Sequence, residues 1–357
     1  MLTGAGSALA EPMDPALERL VVDSRCRTPA GAIVDDQATL DALVAATGRP
    51  TCTPDHAQFK RLMSQYGFAF APTAMHSART TGFGGFHLSL EAAYTSIDDD
   101  ASYWEQGTQG SVDPSSKRAS IRNTNPSPIL SLYSAKIRKS FGFGLEITGA
   151  VGFMPKTSIL SGGADVRLSL LEGFRTGAAG VLPDIAVGGG VRTVTGTPQF
   201  QMTVVGLDAQ ISKPLPIADS SIITPWVGYQ YAWIFADSGL VDLTPGTDAI
   251  GYCNFAGPNV PGNPDPNKPA DTYDGQPVCN GGDPRDFNNN VVFNKARLER
   301  QRLMFGVNYR YEMVMIGGQF ITDIVDPADA QNSDADKKDL QGTGRQWTIV
   351  LELGAMF

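Results

Sequence analysis

Apolar side chains recur at every second position in several separate segments of this chain of 357 residues. In the stretch that starts at Phe86, for example, Leu88 and Leu90 alternate with Ser89 and Glu91. Successive side chains of a β-strand point to opposite faces, whereas a helix repeats every 3.6 residues. The alternation therefore predicts strands with one apolar face, and no apolar run approaches the ~20 residues of a membrane helix.

The same period predicts about ten strands, at 86–97, 129–140, 141–153, 163–172, 184–195, 200–212, 221–236, 298–312, 313–323 and 344–357. Long connections alternate with short ones, as in membrane barrels with short periplasmic turns and longer extracellular loops. We therefore predict an all-β fold: a closed antiparallel up-and-down transmembrane β-barrel of about ten strands, within a range of eight to twelve. A small, partly helical N-terminal segment precedes it.

The chain ends in the sequence GRQWTIVLELGAMF, an apolar strand whose last residue is aromatic. This strand resembles the C-terminal strand of Gram-negative outer-membrane β-barrel proteins, which the assembly machinery reads. The resemblance implies location in the cell outer membrane, with outer-membrane lipid and the barrel assembly machinery as partners. The assembly signal that it implies consists of Trp347, Ile349, Leu351, Leu353 and Phe357.

A soluble secreted β-sandwich would show similar alternation, because a core and a lipid phase both favour apolar side chains. The aromatic residues on the predicted outer faces and the terminal Phe357 favour the barrel. Charged residues make up only 18% of the chain and are almost absent from mid-strand on those faces, where each would cost roughly 2–4 kcal/mol. Glu299 is the exception and has to lie near a rim or in a loop.

Three regions are predicted along the chain. Residues 1–10, which end in Ala-Leu-Ala, are either the remnant of a signal peptide or a flexible start. Residues 11–80 carry two helical patterns, at 35–46 and 55–67, and form a small periplasmic element or a plug that enters the barrel. Residues 81–357 form the barrel, with a long extracellular loop at 237–293.

Four cysteines form two separate pairs in sequence, Cys26 with Cys52 and Cys253 with Cys279. An even number outside the predicted strands indicates two local disulfides and an oxidising compartment. Free thiols are the alternative. A zinc site would require closer spacing, and no metal site is expected.

The predicted inward faces carry charges of both signs. They either line a narrow aqueous path or pair across a filled interior, and the filled interior is slightly favoured. The predicted lumen-lining residues are Glu91, Lys136, Arg138, Glu146, Asp165, Arg167, Arg192, Asp208, Arg300, Arg302, Arg310, Glu312 and Glu352.

His87 and Ser89 stand two residues apart on one strand face, followed by Glu91. This spacing resembles that of outer-membrane lipid hydrolases, in which a histidine activates the serine. The residues that follow the serine in the phospholipase are absent, so we interpret these three as polar lumen residues and expect no catalytic residues.

The net charge of -9, with acid concentrated in the 237–293 loop, argues against nucleic acid as a partner. We also expect no cofactor, since the glycine run at 188–190 lies within a strand pattern with no helix after it.

Three functional hypotheses follow. The first is limited passage or binding of a small solute, in the manner of a porin or a transporter of hydrophobic compounds. The second is a non-conducting structural or surface-binding barrel, and the third is a lipid hydrolase that uses His87 and Ser89.

Overall fold

A computed structural model describes residues 11–20, 54–73, 76–110, 123–173, 181–218, 220–242, 251–255, 277–281 and 290–357. Its main feature is a closed antiparallel sheet in which each long strand pairs with the next along the chain. The last strand pairs with the first, which completes the barrel. The strands are β1 (Phe86–Ser96), β2 (Ile129–Ser140), β3 (Leu145–Phe153), β4 (Leu160–Leu171), β5 (Asp184–Thr195), β6 (Phe200–Ser212), β7 (Ser221–Ser238), β8 (Ala296–Tyr311), β9 (Val314–Asp323) and β10 (Trp347–Met356). The predicted fold class is confirmed.

The largest error in the predicted strand boundaries is at the start of β3. Strand β3 begins at Leu145, because residues Gly142–Gly144 form a 3-10 turn in which Phe143 adopts a positive φ of 62°. Pairing between β2 and β3 ends at Ser140, so the chain has to reverse within these few residues. Phe141 therefore belongs to the turn, although its spacing continues the alternation of the strand.

The outward side chains at mid-height are apolar, as predicted. Leu90 and Val151 are each 66% exposed, and Leu353 is 58% exposed. Glu299, the charged exception, accepts hydrogen bonds at 2.7 Å from Asn332 Nδ2 in the β9–β10 connection. A closed sheet with an apolar outer belt leaves no backbone group unpaired in hydrocarbon. These features are those of an outer-membrane β-barrel and place the chain in the cell outer membrane.

The two ends of the barrel differ in the length of their connections. Short turns at 141–144 and 312–313 lie at the end of the barrel where β1 begins and β10 ends. The longest connections, 97–128, 239–295 and 324–346, join strands whose linked termini are at the other end. Short turns are periplasmic in outer-membrane barrels, so the long-connection end is extracellular.

Three helices accompany the described strands: α1 (His56–Phe70) before β1, α2 (Ser102–Gly107) in the β1–β2 connection, and α3 (Asp334–Asp339) in the β9–β10 connection. A 3-10 turn occupies Leu17–Arg19, and a short strand, Leu215–Ala218, pairs with the start of β7. Within the described ranges, no helix combines the length and the apolar character needed to cross a bilayer.

A second compact unit comprises Glu18–Asp55 and Leu240–Val292. It contains two small antiparallel pairs, Gly251–Phe255 with Pro277–Gly281 and Val241–Asp242 with Asn290–Val291. In the first pair, Cys253 and Cys279 occupy directly opposite positions of the backbone register. Their disulfide stays a prediction. Cys26, Cys52, residues 1–10 and the predicted helix at 35–46 lie outside the described residues.

Phe357 closes the hydrogen-bond ladder between the two ends of the barrel. Its N–H donates to Phe86 O at 2.7 Å, and Phe86 N–H donates to Phe357 O at 3.0 Å. Deleting Phe357 removes both bonds, each worth about 0.5–1.5 kcal/mol, together with the terminal aromatic side chain. We expect at least a fivefold loss of heat-modifiable barrel from the outer-membrane fraction, with total synthesis unchanged and Phe357→Tyr assembling normally. Normal assembly of the deletion variant would show that this residue is not part of an assembly signal.

Candidate functional site

Helix α1 packs against the inward faces of the barrel strands. Its sequence places apolar residues at spacings of three and four, which predicted one buried face. The structure buries more than that face, because Ser64 and Gln65 are also fully buried. A Cβ atom on Gly67 would lie within 2.7 Å of three side-chain atoms of Ile234, an inward residue of β7. Helix α1 also contacts β1, β2, β6 and β8, so the barrel wall surrounds it. We call residues 56–73 and 76–81 the luminal segment.

Two arginines of β8 hold the C-terminal end of α1. Arg302 Nη1 donates to Phe68 O at 3.1 Å, and Arg302 Nη2 donates to Pro72 O at 2.7 Å. Both guanidinium groups also lie over the Phe68 ring, at 5.1 Å for Arg302 and 5.3 Å for Arg300. The last carbonyls of a helix lack intrahelical partners and carry partial negative charge. The carbonyl of Phe68 is one of these, and Arg302 supplies its hydrogen-bond donor inside the barrel.

Arg300 links α1 to the two strands that follow β8. Its Nη1 donates to Asp323 Oδ2 at 2.7 Å, and its Nη2 donates to Ser64 O at 3.3 Å and to Gln346 Oε1 at 2.5 Å. The side chains of Arg300 and Asp323 are each 1% exposed. A charge buried this deeply is tolerated only with a charged or hydrogen-bonded partner. The pair is therefore part of the wall contact of α1 and does not line an open path.

A second contact joins the middle of α1 to the β1–β2 connection. Gln65 Nε2 donates to Asp98 Oδ2 at 2.7 Å, and Trp104 Nε1 donates to Gln65 Oε1 at 2.5 Å. Burial, and then the charge of Asp98, raises the pKa of the Tyr103 phenol above its usual value. The phenol therefore stays protonated, and its O–H donates a hydrogen bond to Asp98 Oδ2 at 2.9 Å. Gln65 is held from both sides.

Near its N-terminal end, α1 is tied to α3 in the β9–β10 connection. Lys60 Nζ contacts Asp336 Oδ1 at 2.6 Å and Asp339 Oδ2 at 2.7 Å. Arg61 Nε donates to the backbone oxygen of Asp339 at 2.7 Å. Basic residues of α1 thus meet acidic residues of an extracellular connection.

On the periplasmic side of α1, the luminal segment lies between charged residues of the barrel wall. Lys136 Nζ donates to Glu91 Oε2 and to Thr73 Oγ1, both at 2.6 Å. Thr73 Oγ1 in turn donates to Glu91 Oε1 at 2.8 Å. Further along, His76 Nε2 lies 3.4 Å from Glu146 Oε1. These predicted lumen residues bind the segment itself.

The space left beside this part of the segment is small. A cavity of about 20 Å³ lies among Pro72, His76, Arg138 and neighbouring wall residues. This volume holds about one water molecule. The interior in this region is therefore filled by protein.

His87 and Ser89 face this cavity, not lipid. Both are buried, at 1% and 7% exposure, and His87 Nδ1 lies 2.6 Å from Arg138 Nη2. A lipid in the surrounding bilayer would have to pass through the barrel wall to reach them. Glu91 is paired with Lys136. The geometry therefore favours the interpretation of His87, Ser89 and Glu91 as packed polar groups of the interior.

Strands β4 to β6 carry two further ion pairs on the inward face. Arg192 contacts both carboxylate oxygens of Asp165, at 2.6 and 3.0 Å, and Arg167 Nη2 contacts Asp208 Oδ1 at 2.9 Å. The glycine run of β5 makes room for the acids, since a Cβ on Gly190 would collide with the Asp165 carboxylate. The run is part of a strand, as expected, and serves side-chain packing there.

Of the thirteen predicted lumen residues, Arg310 and Glu312 are misplaced. Both are exposed at the short-turn end, where Arg310 Nε donates to Glu312 O at 2.9 Å. Strand β8 extends beyond the packed interior, so the alternation of the strand continues where there is no lumen to line. The others are buried or partly buried on inward faces. Those placed in the charged interior are Glu91, Lys136, Arg138, Glu146, Asp165, Arg167, Arg192, Asp208, Arg300, Arg302 and Glu352.

Sequence reasoning missed several residues that hold α1. Asp323 ends β9, Gln346 lies just before β10, Asp98 lies just after β1, and Gln65 and Trp104 belong to helices. The available signals were the inward positions of Asp323 in the alternation of β9 and of Gln346 in the alternation of the last predicted strand. Nothing in the sequence indicated that these residues meet around a helix.

No protein-family model matches the chain, and no curated protein matches it. Solved structures that it resembles include Ail, the attachment invasion locus protein of Yersinia pestis, in complex with a heparin analogue. That match has 9% identity and a TM-score of 0.26, and covers 77% of this chain and 100% of Ail. The N-terminal β-barrel domain of Pseudomonas aeruginosa OprF and Neisserial surface protein A each match at 8% identity and TM-score 0.26, over 76% of this chain and 97% of theirs. Similarities this distant carry no information about function.

Proposed function

We propose that the protein is a non-conducting outer-membrane barrel, closed by its own luminal segment, that serves as a scaffold for surface contacts at its extracellular connections. The observation that carries this proposal is the burial of α1 against the wall, with Arg302 donating to the backbone of Phe68 and Pro72. Arg300, also buried, donates to Ser64 O. A mobile gate would break these contacts with buried charged groups each time it opened.

Passage of a small solute requires displacement of the luminal segment. Its removal would expose Arg300, Arg302 and the Glu91–Lys136 pair, whose contacts it shares. Displacement therefore breaks hydrogen bonds from charged groups to the segment, each worth roughly 1.5–3 kcal/mol, so the closed state is favoured. Porin-like or transporter-like passage therefore stays a hypothesis that needs a trigger for displacement.

Single-channel recording in a planar bilayer tests the proposal. The refolded full chain, shown to be intact by its heat-dependent gel mobility, is expected to insert without producing current steps. A known open porin reconstituted in the same lipid is the positive control. Regular steps from the intact, folded chain would overturn the proposal and favour solute passage.

A further inference from the structure

The described N-terminal residues lie at the extracellular end of the barrel. Met13 N–H donates to Lys156 O at 3.1 Å, and Ser158 N–H donates to Asp14 Oδ1 at 2.6 Å, both in the β3–β4 connection. Ala16 N–H donates to Gly107 O at 2.9 Å, in the β1–β2 connection. Residues 11–17 therefore pack on two connections that belong to the same end of the barrel.

The luminal segment then runs from this end to the opposite one. His56 Nδ1 accepts a hydrogen bond from Asn294 N–H, 3.2 Å away, just before β8 begins at its extracellular end. Further along the segment, the partners lie progressively deeper: Ser64 O contacts Arg300, and Pro72 O contacts Arg302.

The end of the segment reaches the short-turn end of the barrel. Ala78 N–H donates to Ser212 Oγ at 3.1 Å, at the last residue of β6. Thr81 Oγ1 donates to Ser140 Oγ at 2.6 Å, at the last residue of β2. Both partners end strands that run toward the periplasm, so β1 starts from the periplasmic side.

From this path we infer that the barrel carries its own N-terminal segment to the cell surface: the chain enters the lumen from the extracellular side, crosses it once as α1 and the residues after it, and leaves at the periplasmic side to begin β1. The scaffold would then present residues 11–17 outside the cell, as part of the extracellular surface. The barrel thus acts as an export route for the chain that precedes it.

The filled interior determines when the N-terminal segment enters the barrel relative to barrel closure. Beside Pro72 and His76, the cavity next to the segment has a volume of about 20 Å³, and the wall is closed by pairing of β10 with β1. A cavity of this size beside Pro72 and His76 admits no second stretch of polypeptide at that level of the described lumen, so the N-terminal segment has to be in place before, or while, β10 joins β1. Export through the lumen is therefore coupled to barrel closure.

Labelling of introduced cysteines in intact cells tests the inference. Glu11→Cys changes one exposed residue and leaves the length of the threaded segment unchanged. Asp334→Cys in α3, whose side chain is fully exposed, is the extracellular control, and Met313→Cys, 50% exposed in the β8–β9 turn, is the periplasmic control. Reaction with a membrane-impermeant maleimide is measured before and after permeabilisation of the outer membrane, relative to the unsubstituted chain. Only protein with normal heat-dependent mobility is scored.

We expect Glu11→Cys to react in intact cells at least half as strongly as Asp334→Cys, and Met313→Cys to react only after permeabilisation. Reaction of Glu11→Cys only after permeabilisation, while Asp334→Cys reacts in intact cells, would overturn the inference. Failure of Glu11→Cys to react under either condition, with Asp334→Cys reactive, would also overturn it. Conductance of the barrel is a separate matter, so this inference and the proposed function can fail independently.

Discussion

Arg300→Met is expected to lower the free energy of unfolding by about 3–5 kcal/mol, because it leaves the buried Asp323 carboxylate without its cationic partner. Asp323 Oδ2 would keep only the hydrogen bond from Gln346 N–H at 2.9 Å. The same change removes the donor to Ser64 O, so α1 is loosened as well. Unfolding by urea in lipid or detergent, followed by tryptophan fluorescence or gel mobility, measures the loss.

Arg297→Met is the matched control for this prediction. Arg297 lies on the same strand and pairs with Asp237 at 3.2 Å, but the two side chains are 44% and 45% exposed. Exposed ion pairs contribute about 0–1 kcal/mol, so we expect a change within that range. Equal effects of the two substitutions would contradict the assignment of Arg300 to a buried, sealed contact.

Gly67→Leu is expected to lower the free energy of unfolding by about 1–3 kcal/mol, the typical cost of overpacking a filled interior. The new side chain needs the space that Ile234 occupies in β7, and the surrounding wall is continuous sheet that cannot withdraw. Unfolding by urea in lipid or detergent measures the loss.

Gly318→Leu serves as the control for this experiment, since a Cβ on Gly318 in β9 meets no atom within 4 Å. It should unfold at nearly the same urea concentration as the unsubstituted chain. An equal loss of stability from the two substitutions would contradict the close packing of Gly67 against Ile234.

The alternation of apolar residues predicted the strands and their faces, because a two-residue period is a local property of the backbone. The spacing of Phe59, Leu62, Met63 and Tyr66 likewise predicted α1. Its location was not predictable from that spacing, since an apolar helix face is buried equally by a periplasmic neighbour or by a barrel wall.

The interior contacts were predictable in part. Arg300 and Arg302 were expected on the inward face from the alternation of β8, yet two of their partners are the backbone oxygens of Ser64 and Phe68. Every residue has a backbone carbonyl, so the sequence does not indicate which carbonyl oxygens will accept a hydrogen bond from a side chain. That depends on where the helix ends in the folded protein. Phe143 shows the opposite limit, since its turn conformation overrides a spacing that matched the strand.

Disulfide trapping between α1 and the barrel wall tests the central claim most directly. In a chain carrying Gly67→Cys and Ile234→Cys, the two sulfur-bearing positions approach as closely as a disulfide requires, because Ile234 side-chain atoms lie within 2.7 Å of the Cβ position on residue 67. The control pairs Gly67→Cys with Phe235→Cys, an adjacent residue that is exposed on the outer face.

After mild oxidation of the folded protein in lipid, mass spectrometry of the joined peptides measures the bond. We expect the 67–234 bond in most molecules and the 67–235 bond in almost none. Absence of the 67–234 bond in folded protein, or equal yields from both pairs, would contradict the placement of α1 in the lumen.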